Sequence, residues 1–125
     1  MRLFEITQAD PFLYHMTRTE KLPAVTQDGL TPNIDRDPTF DGYPVDGRLF
    51  VATSYDSAMW YAQQFIDSGD YEPHEFVVLR FPKKGVRTRT DPYGNGPGDR
   101  FTMQSIPPEL LEVYQNGEWR SLNRR

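Results

Sequence analysis

The chain has no cysteine, which excludes disulfides and thiolate metal sites and suits a reducing compartment. Histidine is nearly absent too: His15 and His74 are the only two, and neither stands at ligand spacing from carboxylates, so no metal site is expected. No apolar run approaches the roughly 20 residues of a membrane span, and the opening MRLFEITQAD has no leader character. A soluble, cytoplasmic protein with no membrane partner is the expectation. A basic surplus is also missing. The net charge of −4 argues against an indiscriminate phosphate binder. Basic residues do gather locally, at Lys83, Lys84, Arg87 and Arg89 and again at Arg120, Arg124 and Arg125. They could meet phosphates, but an ordinary solvated face is the first reading. Ser54 and Ser57 lack a nucleophile elbow, and the glycine-rich run 91–98 lacks the Lys-Ser/Thr ending of a phosphate loop.

What the chain does have is aromatic bulk, 14% of 125 residues, enough for one domain spanning 1–125 with a proper core. Residues 2–6 read as a short strand. Phe12–Thr17 read as a second, with Phe12, Tyr14 and Met16 on the apolar face and Leu13, His15 and Thr17 on the other. That second face, holding His15 and Thr17, has the polarity of a cleft wall. Thr19 is placed to cap a helix over Glu20–Gln27 that tolerates Pro23 in its first turn and stops at Asp28-Gly29. Thr31–Gly47 is a long loop rich in Asp, Pro and Gly, suited to a lid or substrate loop or to a plain surface connection.

A strand over Arg48–Thr53 leads to the clearest helix, Tyr55–Asp67, capped by Ser54 or Thr53 and striped by Ala58, Tyr61, Ala62 and Phe65. Glu75–Phe81 reads as a buried strand, and Val86–Thr90 as a short extended piece with Arg87 and Arg89 on one side. A flexible loop at 91–98 and a strand over Arg100–Ser105 come next. Asn116-Gly117 predicts a hairpin pairing Tyr114 with Trp119. Two helices followed by a run of strands predict an α+β fold with a mostly antiparallel sheet.

Taken singly, His15 reads as a satisfied histidine, Tyr61 as core packing and His74 as a surface residue. Their arrangement shifts those readings. Leu13-Tyr14-His15-Met16-Thr17, with the helix that ends in Gly29-Leu30, resembles the opening of the ADP-ribosyltransferase fold of the His-Tyr-Glu type. Gly47–Thr53 followed by Ser57–Ala62 resembles that family's second block, and Arg100–Ile106 leading into Pro107-Pro108-Glu109-Leu110 its third. The three blocks stand in the family's order and cover most of the chain.

The resemblance implies a single-domain fold of two packed, mostly antiparallel sheets with two short helices. It implies a nucleotide-binding transferase, formally a glycosyltransferase, that uses NAD as substrate and passes ADP-ribose to a macromolecular acceptor, protein or nucleic acid. In that scheme the catalytic residues are His15, Tyr61 and Asp99, and NAD is held by His15, Met16, Thr17, Phe50 and Tyr61. His15 would bond the adenosine ribose, the Met16 backbone the nicotinamide amide, and Tyr61 would stack on the nicotinamide ring, with Thr17 supporting the strand end. Phe50 occupies the strand position of the family's motif tyrosine. Asp99 stands where the family's glutamate is expected, and Gln104 is a second candidate for that role. Two alternatives share the scaffold. One is a non-catalytic binding or inhibitor module. The other is an RNA 2′-phosphotransferase-like enzyme gripping phosphate with Arg18, Arg80 and Arg100.

Overall fold

The computed structural model describes residues 10–32, 49–90 and 99–122. The strand expected at 2–6, the loop positions from 33 to 48 and the loop at 91–98 lie outside them. Among the described residues the fold is α+β: β1 (Phe12–Arg18), α1 (Leu22–Asp28), β2 (Leu49–Ala52), α2 (Tyr55–Asp67), β3 (Phe76–Pro82), β4 (Arg89–Thr90), β5 (Asp99–Thr102), β6 (Glu112–Gln115) and β7 (Glu118–Ser121). No helix among them is long and apolar enough to cross a membrane.

The strands form one open seven-stranded sheet in the order β4-β5-β2-β1-β3-β6-β7, with every neighbouring pair antiparallel. This corrects the expectation of two packed sheets. The reason lies in the join between β1 and β2. β1 pairs with β3 along its whole length, from Phe12↔Pro82 to Arg18↔Phe76. Among the described residues it meets β2 only at Tyr14↔Ala52. The sheet is therefore two ladders, β4-β5-β2 and β1-β3-β6-β7, held in one hydrogen-bonded array by a narrow seam.

A central strand is covered on both faces, and the alternation of β1 supplies both cores. Leu13 packs with Val25, Leu30, Val51, Leu79, Phe81 and Leu111 on the α1 side. Tyr14 and Met16 pack with Ala52, Ala58, Ala62, Phe76 and Val78 under α2. The face carrying His15 and Thr17 also carries Leu13 of the larger core; Thr17 is buried and His15 half-buried, so of the two only His15 keeps the exposure expected of a cleft wall.

Local chemistry sets the element ends. Ser54, not Thr53, caps α2, its Oγ accepting from Ser57 N at 3.0 Å. α1 starts at Leu22 behind a 3-10 turn over Thr19–Lys21. Thr19 does not cap it, because its hydroxyl donates to the His74 carbonyl at 2.7 Å. β5 stops at Thr102, short of the expected Ser105, where Gln104 N donates back to Thr102 Oγ1 at 3.1 Å. At Asn116 and Gly117, φ values of 54° and 79° give the turn that matches strand twist. The expected Tyr114↔Trp119 pair forms across that hairpin, with ring centroids 5.1 Å apart.

Candidate functional site

The seam between the two half-sheets brings together two of the sequence-predicted residues, His15 and Phe50. Past the Tyr14↔Ala52 pair, a side chain links the strands: His15 Nδ1 lies 2.6 Å from the Phe50 carbonyl oxygen. A carbonyl only accepts, so Nδ1 carries the proton and Nε2 keeps its lone pair. Burial lowers the His15 pKa below its ordinary value, and the bond to Phe50 only partly opposes that shift. The imidazole is thus neutral at pH 7 and fixed in one tautomer. Among the described residues Phe50 is the only hydrogen-bond partner of the ring. Nε2 is an acceptor suited to a donor such as a sugar hydroxyl.

The other candidates converge in the backbone around Ala52. Ala52 pairs with Tyr14 on one side and with Asp99 on the other. Ala52 also shares a core with Ala58 and Ala62 of α2, and Tyr61 packs against that core. Tyr61 is half-buried, its ring edge-on to Trp60 at a centroid distance of 5.1 Å. Phe50 is half-buried as well and meets Phe101 edge-on at 6.5 Å. Met16 is buried beneath α2.

Not everything converges. By strand alternation His15 belongs to the α1 side of β1, whereas Tyr61 lies over the α2 side. The two can address one ligand only across the seam. Asp99 is the first residue of β5, and its register places it beside Ala52.

Gln104 drops out as its substitute. It lies beyond β5, where its Oε1 accepts from Arg87 N at 2.6 Å and its Nε2 donates to the Gly85 carbonyl at 3.1 Å. The expected arginine grip is also not assembled. Arg18 pairs with Glu20 and Glu75 and lies over the Tyr71 ring. Arg80 bonds Glu112 at 2.7 Å and lies over both Phe12 and Trp119. Arg100 donates to the Thr88 side chain and carbonyl. Separate sets of partners hold these three cations.

A second feature escaped sequence reasoning. An open groove of about 750 Å³ runs along β4 and the end of β5, lined by Gly85, Arg87, Thr88, Arg89, Phe101, Thr102, Met103 and Gln104. The alternate Arg87 and Arg89 were its one sequence signal. Only the pairing of Arg89 with Phe101 shows what they stand beside. Among the described residues, no group of acids and histidines could hold a metal ion. No protein-family model matches the chain.

Proposed function

We propose that the protein is a cytoplasmic NAD-dependent ADP-ribosyltransferase acting on a macromolecular acceptor. The observation that carries this reading is His15 at the β1–β2 seam, neutral and tautomer-fixed by the Phe50 carbonyl. A ribose presents hydroxyl donors, and the neutral Nε2 of this half-buried imidazole is a suitable acceptor. In this scheme Tyr61 offers an aromatic face to the nicotinamide, and the buried surroundings of Phe50 and Met16 exclude water. The carboxylate of Asp99 stabilises the positive charge that grows on the ribose carbon as nicotinamide departs. Electrostatic help of this kind often lowers a barrier more than any other single effect.

One observation favours a second reading, a binding module on the same scaffold. With Gln104 tied to the loop before β4, Asp99 is left as the acid of the scheme, and it is one methylene shorter than a glutamate. A displacement of ~1 Å can lower a rate on the order of a hundredfold.

Calorimetric titration with NAD tests the shared step. Saturable binding that His15→Ala abolishes, with the thermal unfolding midpoint retained, supports both readings; absence of binding removes both. Release of nicotinamide and transfer of labelled ADP-ribose in lysate, lost in Asp99→Asn while NAD affinity persists, supports the enzyme. NAD binding without any release supports the module.

A further inference from the structure

We propose that the β4–β5 groove binds the phosphodiester backbone of single-stranded nucleic acid. Its occupant is indicated by charge. Among the described residues its lining includes Arg87 and Arg89 and no acidic residue, in a chain whose net charge is −4. Lys83 and Lys84 precede the same run and are exposed, as are both arginines. Among the described residues none of these four side chains makes an ion pair or a hydrogen bond. Arg100, by contrast, is tied to Thr88. It stiffens the groove wall rather than competing for the ligand.

Cations on an edge strand also deter sheet-to-sheet pairing. That accounts for Arg89 on the edge strand β4. It does not account for Arg87, which precedes the strand and lines the same groove over an apolar floor. Phe101 forms part of that floor, and Met103, 64% exposed, stands at its rim. The Gln104 amide holds Gly85 and Arg87 in place by bonding their backbones, so the guanidinium-bearing segment is braced.

The spacing of the two arginines fits a phosphodiester strand. Arg87 and Arg89 are two residues apart, at most about 7 Å along the chain. Two residues of polypeptide and one nucleotide of sugar–phosphate backbone each span six bonds, so successive phosphates of a stretched strand match this step. The planar guanidinium fork suits phosphate oxygens. The groove is partly open to solvent, and the exposed Met103 offers a soft apolar contact for a base. Binding of the strand stands on the groove alone; its role as the ADP-ribose acceptor rests on the transfer reading above.

Fluorescence anisotropy tests this with fluorescein-labelled 20-nucleotide oligothymidylate and oligouridylate, and with polyglutamate of matched length. The expected result is binding of both oligonucleotides, with log K falling against log[salt] at a slope of about −1.4 to −2.8, roughly −0.7 for each of two to four phosphates. The double variant Arg87→Glu/Arg89→Glu is expected to bind at least tenfold more weakly and to flatten the slope by about 1.4. Its far-UV spectrum and NAD titration should match the parent, because neither arginine touches the seam. Preference for one sugar would say which nucleic acid the groove takes. No anisotropy change at 50 mM salt would overturn the proposal, and so would binding that survives the double variant. Polyglutamate bound as tightly as the oligonucleotides would overturn it in favour of an acidic protein. Loss of NAD binding in His15→Ala with oligonucleotide binding intact separates the groove from the seam.

Discussion

Gly29 offers the most direct test of how α1 is fastened to the sheet. Its backbone sits at φ 78° and ψ −165°, a region essentially reserved for glycine. It also passes so close to the third sequence block that a Cβ would stand 2.2 Å from the Ile106 carbonyl oxygen and 3.0 Å from the Pro108 ring. That carbonyl accepts from Leu30 N at 2.9 Å, and Ile106 N donates to Leu30 O at 2.8 Å. Gly29→Ala therefore adds backbone strain of about 1–3 kcal/mol. It also forces the segments apart, weakening two backbone hydrogen bonds worth about 1 kcal/mol each.

The expected loss is about 3–5 kcal/mol, a large part of the stability of a domain this size. Gly69→Ala is the control. Its φ is 88°, but nothing lies within 4 Å of the added carbon, so the expected loss is about 1–2 kcal/mol. Urea unfolding followed by the fluorescence of Trp60 and Trp119 measures both. If Gly29→Ala is no more destabilising than Gly69→Ala, the close approach of α1 to Ile106 is wrong. Leu30 and Ile106 would then not be joined as described.

Three further outcomes follow from the same structure. The folded state lowers the His15 pKa from its ordinary 6.5, so between those values the unfolded chain binds more protons. Stability present above pH 6.5 is expected to fall as pH drops towards the folded value, and His15→Gln should remove that part of the slope in urea titrations. Burial and the Asp10 carboxylate push Tyr14 up to about 12, with its hydroxyl donating to Asp10 Oδ2 at 2.7 Å. Stability should decline as pH rises from 10 towards 12, at up to about 1.4 kcal/mol per unit, and Tyr14→Phe should flatten that decline. Arg80→Met removes the cation that bonds Glu112 and lies over Phe12 and Trp119. A loss of about 1–3 kcal/mol with a shifted Trp119 emission is expected, and unchanged emission would contradict that stacking.

Local signals determined a large part of this protein. The Ala58–Tyr61–Ala62–Phe65 stripe, the Asn116-Gly117 turn and the apolar run before Phe81 set α2, the β6–β7 hairpin and β3, because each depends on residues a few positions apart. Strand ends depended on longer-range partners. Gln104 looked like a strand residue until its side chain was found bracing Gly85 and Arg87 from across the sheet. Thr19 looked like a cap until the His74 carbonyl took its hydroxyl.

For the candidate site, the sequence by itself determined which side chains could do chemistry. It marked His15 as unusual, because a histidine in an apolar strand must have a reason. What that reason is only tertiary structure decided. Period-2 counting assigns a residue to one of two faces, but it cannot show that β1 meets β2 at a single pair. That one pair leaves the Phe50 carbonyl to the imidazole. The β1–β2 pairing joins Tyr14 to Ala52, far apart in the chain, and is set by the packing of the whole sheet. It fixes the tautomer, the neutrality and the remaining acceptor that the proposed role of His15 uses.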